Sequence, residues 1–367
     1  MIRVLVVDDS ALARRLLGRM LPRVEGFDVV GEASDAYEAR DLIVELEPDV
    51  VVLDLEMPRM DGISFLRKLM HHHPIPVVVC SAMTKEGGDH ALAALDAGAA
   101  AIVCKVSGPG AIAQMTADLT NAVRAAALEG RRPARDGTTA RATATTIPAP
   151  AARVAHPTEE RRVVVVGAST GGTIAVEAIV RKLPADFPPL IIVQHLPQYI
   201  SGAFARRLDQ VAALHVEEAE DGLPLRPGCA LVAPGDRHVF VEKRGTALVV
   251  AVRPGPKING HRPSVDVLFR SAADTLRAAA VGVLLTGMGK DGAEGLLALR
   301  TVGAYTLAQD EASSAVFGMP KAAIELGAAD EIVALDRMAA RLTSSVHRTA
   351  AQRAIRRPPM REGEHDA

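Results

Sequence analysis

The sequence predicts two α/β units in tandem, each on a mostly parallel sheet, the second doubly wound and interrupted by a hairpin. Three observations carry that expectation. Short runs of β-branched and aliphatic residues alternate with amphipathic stretches of helical period in both halves of the chain. Polar residues collect just after those runs, at what would be the C-terminal edge of a sheet, where open α/β sheets form their sites. Between the halves, residues 128–161 shift to Ala, Thr, Pro and Arg without apolar period, the composition of a semi-flexible linker.

Bulk properties narrow the classes. At 367 residues, 49% of them hydrophobic and 23% charged, the chain can fill two cores and has a soluble, globular composition. No Trp, three Tyr and seven Phe leave the cores aliphatic and provide no stacking platform for nucleic acid. A net charge of −2 argues further against nucleic-acid binding driven by phosphate neutralisation. No apolar run reaches the roughly 18 residues of a membrane span, and the first residues read as a strand rather than a signal peptide. Cys80, Cys104 and Cys229 lie in strand-like runs and read as reduced thiols, so the expected compartment is cytoplasmic, without membrane insertion.

In the first unit, residues 1–127, strands are expected at 3–7, 28–32, 50–53, 77–80 and 101–104, with helices such as 11–21 and 36–46 between them. The strand ends carry Asp8 and Asp9, then Asp54, Ser81 and Lys105. Singly these are ordinary caps, turn residues or solvated charges. Together they set carboxylates, a hydroxyl and an ammonium on one edge. Clustered carboxylates repel and favour a hard divalent cation, Mg2+ being the natural choice. An aspartate beside such a cation can accept a phosphoryl group, with Lys105 and Ser81 meeting the added charge. His71-His72-His73-Pro74 reads as a solvated loop, because adjacent side chains point in different directions and cannot converge on one ion.

The second unit, residues 162–345, opens with Val163-Val164-Val165-Val166, a strand buried on both faces. It runs into Gly167-Ala168-Ser169-Thr170-Gly171-Gly172 and then a helical pattern that Pro184 ends. Strand, glycine-x-serine-x-glycine, helix is the setting in which a serine sits exposed on a sharp elbow. The dinucleotide alternative wants another glycine spacing and an acidic residue after the next strand. The strand at 190–193 ends instead in Gln194-His195. A strand at 228–233, a hairpin of 239–242 with 247–252 around Arg244-Gly245-Thr246, a loop at 259–266 and a helix at 267–280 follow. A buried strand at 281–285 leads to Thr286-Gly287-Met288-Gly289-Lys290-Asp291-Gly292, and a further strand is expected at 304–308. Residues 346–367 read as a disordered tail. Ser169, His195 and Asp291 therefore each follow a buried strand. Serine needs a base to take its proton, and the base needs a carboxylate to fix its tautomer, so the three read as a catalytic triad. Their order, Ser, His, Asp, differs from the Ser, Asp, His of α/β-hydrolases.

Residues 1–127 resemble the receiver domain of two-component response regulators, through Val7-Asp8-Asp9-Ser10, Asp54 followed by Met57-Pro58-Arg59-Met60-Asp61-Gly62, Ser81-Ala82 and Lys105. The resemblance implies a flavodoxin-like (βα)5 fold and phosphorylation of Asp54 by a histidine kinase. It also implies Mg2+ on Asp9, Asp54 and the Glu56 carbonyl, with Asp8 in the same acidic cluster. Two departures stand out: Val106 replaces the usual proline after the lysine, and Ile102 replaces the usual aromatic residue three positions before it. Phosphorylation chemistry survives both; the aromatic switch of the family does not.

The motifs at Ser169, Gln194-His195-Leu196-Pro197, His261-Arg262-Pro263-Ser264-Val265-Asp266 and Thr286–Gly292 resemble the chemotaxis protein-glutamate methylesterase family. Receiver, linker and catalytic domain follow in that family's order over nearly the whole chain. The resemblance implies hydrolysis of glutamate γ-methyl esters, and deamidation of certain glutamines, on the cytoplasmic domains of methyl-accepting chemoreceptors. It implies that the backbone N–H groups of Thr170 and Met288 hold the oxyanion, and that the esterase site needs no cofactor. It also implies that the unphosphorylated receiver covers the active-site face. His261 and Arg262 suit either substrate or loop positioning. A response regulator with a basic, DNA-binding output domain would lack the serine elbow. A catalytically silent, protein-binding output domain is the other alternative, against which the intact Ser, His and Asp speak.

Overall fold

The computed structural model describes residues 1–346 apart from 22–23, 25, 58–59, 83–84, 106–110 and 131–161. The expected linker from residue 131, the tail beyond 346, Pro58, Arg59 and Val106 thus lie outside the described residues.

The first unit alternates β1 (Ile2–Val7), α1 (Ala11–Met20), β2 (Phe27–Ala33), α2 (Ala36–Leu46), β3 (Val50–Asp54), α3 (Gly62–His72), β4 (Val77–Ala82), α4 (Lys85–Asp96), β5 (Ala101–Lys105) and α5 (Ala111–Gly130). Its five strands are all parallel, in the order β2-β1-β3-β4-β5. Two-residue periodicity sorts the central strand onto two faces. Val51 and Leu53 pack with Ile43 of α2 and Phe65 and Leu66 of α3. Val50 and Val52 pack with Leu17 of α1 and Leu119 and Val123 of α5. Helices thus cover both faces, as a parallel sheet requires.

The second unit holds β6 (Val163–Ala168), α6 (Gly172–Val180), β7 (Leu190–Gln194), α7 (Gln198–Val211), β8 (His215–Glu218), β9 (Cys229–Val232), β10 (His238–Arg244) and β11 (Ala247–Arg253). It continues with α8 (Val265–Leu276), β12 (Ala280–Leu284), α9 (Ala293–Thr301), β13 (Tyr305–Gln309), α10 (Met319–Glu325), β14 (Glu331–Val333) and α11 (Leu335–Val346). Seven strands form one parallel sheet, β14-β13-β12-β6-β7-β9-β8, and β10 and β11 pair separately as an antiparallel hairpin. Val164 and Val166 face the layer of α6, α7 and α11. Val163 and Val165 face α8, α9, α10 and the hairpin. The run of valines is sandwiched on both sides, as its sequence predicts.

Several boundaries differ from expectation. The helix expected at 267–280 is α8, which starts earlier because Ser264 caps it, its hydroxyl accepting from the Val267 N–H. It stops at Leu276, where Arg277 adopts a positive φ of 51°. Edge strands β8 and β14 escaped the sequence reading; four and three residues long and half-exposed, they carry no apolar run. His71 and His72 belong to the last turn of α3 rather than to a loop, the helix running on until Pro74 forbids it. Helix α5 continues to Gly130, past the boundary expected at 127.

The two units touch. Ala91 and Leu92 of α4 share a buried cluster with Ile200 and Phe204 of α7. At the start of α7 the Tyr199 hydroxyl faces the Cys104 thiol of β5, and burial raises the pKa of both groups. Among the described residues no helix is long and apolar enough to cross a membrane.

Candidate active site

Strand register brings the predicted triad together. Ala168 of β6 lies opposite Gln194 of β7, so Ser169 and His195 are the next residues on adjacent strands. Gly167 lies opposite Leu284 of β12, and the Ser169 N–H donates to the Thr286 carbonyl at 3.0 Å. The His195 N–H donates to the Ala168 carbonyl at 3.1 Å. Neighbouring strands sit about 4.8 Å apart, so three strand ends deliver serine, histidine and the aspartate loop to one spot.

The serine elbow depends on its glycines. Gly171 caps α6 at φ 74°, and a Cβ there would stand 2.4 Å from the Ala315 Cβ. A Cβ on Gly172 would stand 2.1 Å from the Gln194 Oε1, the side chain whose Nε2 donates to the Ser169 carbonyl at 2.7 Å. Gln194 thus pins the elbow from behind.

The imidazole of His195 is held by Asp291, with Nε2 2.9 Å from Oδ2. A carboxylate only accepts, so Nε2 carries the proton and Nδ1 is the basic atom. His195 Nδ1 is buried and has no hydrogen-bond partner among the described residues. Asp291 is fully buried and takes five hydrogen bonds. Its Oδ2 accepts from His195 and from the Val265 N–H at 2.7 Å. Its Oδ1 accepts from Asn259 Nδ2 at 3.0 Å, Ser264 Oγ at 2.8 Å and the Asp266 N–H at 3.3 Å. Burial alone would push its pKa up. The hydrogen bond and charge of His195, then Asn259 and Val265, outweigh burial and hold the carboxyl well below the usual range.

The ring of His261 lies flat on that of His195, centroids 3.8 Å apart and planes 5° apart. Sequence reasoning left His261 without a definite role and missed Asn259 and Gln194 as supporting groups. The signal was present only as polar residues without a role, Gln194 within its motif and Asn259 at the head of the 259–266 loop. Arg262 points away from the dyad, forming an ion pair with Asp236 and donating to the Gly255 carbonyl, so it supports the loop.

Thr170 follows Ser169 directly, and the segment that carries Met288 packs beside it. Thr170 stands at the start of the α6 turn. A Cβ built on Gly287 would come 2.7 Å from the Ser169 Cβ, which places the Met288 segment against Ser169. Neither N–H donates to a protein acceptor among the described residues. Thr170 lies just before α6, where backbone donors are left free, and unpaired N–H groups of this kind can meet developing negative charge.

The first unit assembles its own cluster. Asp8, Asp9 and Asp54 place carboxylate oxygens within 4.8 Å of one another. Lys105 Nζ lies 2.8 Å from Asp8 Oδ2 and 2.6 Å from Asp54 Oδ2. Burial raises the pKa of Asp54 against the opposing pull of Lys105. For Lys105, burial alone would lower the pKa, but Asp54 and Asp8 raise it and keep the ammonium charged. Ser81 is buried at the end of β4, beside β5. Glu56 is exposed, its N–H 3.3 Å from Asp54 Oδ1. Gly62 lets the chain pass close beneath: a Cβ there would stand 2.7 Å from the Asp54 carbonyl oxygen. Three hard oxygen donors this close fit a divalent cation.

Two family models match the chain: response regulator receiver domain over residues 4–117 and CheB methylesterase over residues 164–342. Protein-glutamate methylesterase/protein-glutamine glutaminase 4 of Anaeromyxobacter dehalogenans (strain 2CP-C) is 48% identical over 92% of this chain and 93% of its own. The protein-glutamate methylesterase/protein-glutamine glutaminase of group 3 operon of Rhodopseudomonas palustris (strain ATCC BAA-98 / CGA009) is 48% identical over 92% of this chain and 94% of its own. The crystal structure of the Thermotoga maritima CheB methylesterase catalytic domain is 37% identical, with a TM-score of 0.50, covering 51% of this chain and 99% of that one. The chain belongs to the protein-glutamate methylesterase/protein-glutamine glutaminase family.

Proposed function

We infer that the protein is a phosphorylation-regulated serine hydrolase that removes γ-methyl esters from glutamates, and deamidates glutamines, on chemoreceptor cytoplasmic domains. The observation that carries the chemistry is the His195–Asp291 pair, 2.9 Å long, on the strand end next to the Ser169 elbow.

The residues take the following parts. Ser169 Oγ attacks the ester carbonyl carbon while its proton passes to His195 Nδ1. The carbonyl oxygen becomes an oxyanion facing the Thr170 and Met288 N–H groups. Asp291 stabilises the imidazolium and keeps Nε2 protonated. The tetrahedral centre collapses, the C–O bond to methoxide breaks, and His195 Nδ1–H supplies the proton that makes it methanol. Water then gives a proton to His195 and attacks the acyl-serine, releasing glutamate and restoring Ser169. With a glutamine substrate the leaving group departs as ammonia instead.

Control comes from the first unit. Asp54 is the phosphoryl acceptor, supplied by a histidine kinase, and Lys105 and Ser81 meet the added oxygens. Asp8, Asp9, Asp54 and the Glu56 carbonyl would hold Mg2+, which supplies charge neutralisation between the carboxylates and the incoming phosphoryl group. What supports domain-level control is the contact of α4 with α7, whose first residue is the third after His195. Phosphorylation would shift the population towards an arrangement in which the esterase edge is open to a receptor helix.

The test is methanol release from methylated receptor cytoplasmic fragments, with and without a small phosphodonor and Mg2+. Release that is lost in Ser169→Ala and rises with phosphodonor supports the whole reading. Release that survives in a folded Ser169→Ala variant sinks the nucleophile.

A further inference from the structure

His261 takes part in none of the proton transfers above, yet its ring covers one face of the base. The loop that carries it is tied down on its own account. Ile258 and His261 exchange two backbone hydrogen bonds, of 2.9 and 3.0 Å, and Arg262 holds Asp236 and Gly255. The same loop donates to Asp291 through Asn259 and Ser264. One loop therefore grips both members of the dyad, the aspartate by its oxygens and the histidine by its face.

A ring face does what a hydrogen bond cannot. With only Nε2 bonded, an imidazole can tilt about the Nε2···Oδ2 line and carry Nδ1 away from the serine. A flat plate 3.8 Å away at 5° blocks that tilt. The side chain of His195 is only 8% exposed, so the stacked ring is part of the wall that buries it. The plate also has to tolerate the imidazolium that forms when the serine proton arrives. A neutral aromatic face does so, whereas a second imidazolium at this distance would repel it. Burial, and then the neighbouring His195, lower the titration of His261 to about 4, with Asp291 opposing and Lys257 adding to the shift. At neutral pH the plate is uncharged.

We propose that His261 is a positioning residue of the esterase reaction, its stacked ring fixing the plane of His195 so that Nδ1 faces Ser169. The proposal rests on the esterase reading given above. It assigns His261 to the turnover step rather than to substrate binding.

Steady-state methanol release by the full chain, with phosphodonor and Mg2+, tests it on wild type, His261→Ala, His261→Phe and His261→Gln. Loss of the plate in the Ala and Gln variants is expected to lower kcat roughly ten- to a hundredfold with KM unchanged. Phe restores a flat ring without nitrogens and is expected to return kcat to within about threefold of wild type. Should the Ala variant fail to fold, Phe and Gln are compared with each other. Wild-type kcat in either Ala or Gln overturns the proposal, as does a loss confined to KM, or a Phe variant as slow as Gln. A wild-type chain that releases no methanol removes the esterase reading itself and this inference with it. Active wild type with indifferent His261 variants removes only the role of His261.

Discussion

Asp54 and Asp291 are both buried aspartates at the C-terminal edge of a parallel sheet, and they are treated in opposite ways. Asp291 accepts five hydrogen bonds, from two backbone N–H groups, two side chains and the base, and its carboxyl is held low. Asp54 accepts from Lys105 and the Glu56 N–H, and burial leaves its pKa raised. The difference follows from what each group has to do. As the proposed phosphoryl acceptor, Asp54 has to offer an oxygen, so its lone pairs cannot all be committed. As the proposed orienting member of the triad, Asp291 has to stay a fixed anion through the cycle, so nearly every lone pair is used. A saturated carboxylate orients and an under-coordinated one reacts.

The most severe challenge to that contrast is Asp291→Asn. The amide cannot accept from all five donors, and its NH2 would oppose the His195 Nε2–H, so the ring is driven towards the wrong tautomer. A fall in kcat of about three to four orders of magnitude is expected. Activity within tenfold of wild type would mean that Asp291 is only a structural anchor.

Asp54→Asn attacks the other side. The ratio of methanol release with and without phosphodonor is expected to fall to one, and no acyl phosphate should form on the chain. Retained stimulation would move the acceptor elsewhere in the cluster.

Ser264→Ala is milder. It removes one donor from Asp291 Oδ1 and the side-chain cap of α8 together. Thermal unfolding is expected to report a loss of about 1–2 kcal/mol, with kcat down by about tenfold or less because four donors to Asp291 remain. A loss of kcat as large as that of Asp291→Asn would show that the five donors are not interchangeable.

The smallest effect concerns pH. His261 takes up a proton near its ordinary 6.5 in the unfolded chain but only at about 4 in the folded one. Between those values the unfolded state binds more protons, so stability is complete above 6.5 and declines as the pH falls towards 4. His261→Phe removes that titration. Its melting temperature relative to wild type is expected to rise by a few degrees between pH 7 and pH 5. A constant difference across that range would place the acid sensitivity in other groups.

Much of both sites was legible without coordinates. Valine runs such as 163–166 give strands buried on both faces, and the residues that follow them must stand at the sheet edge. That located Ser169, His195, Asp291, Asp54 and Lys105. Edge strands β8 and β14 were not legible, because short half-exposed strands lack the apolar run that marks a central one. The start of α8 is not legible because Ser264 sits in a loop-like stretch, yet its hydroxyl caps the helix and bonds Asp291 at once.

The sequence by itself determined two parallel sheets and the residue types at their edges, since periodicity and strand ends are local properties of the chain. Only the tertiary structure decided that His195 bonds Asp291 through Nε2, and that Asn259, Ser264 and His261 serve the same dyad. His195 and Asp291 are 96 positions apart, and Asn259 is 32 from the aspartate it bonds. Such partners have no fixed spacing; they meet because strands β6, β7 and β12 lie side by side and the loop before α8 folds over their ends.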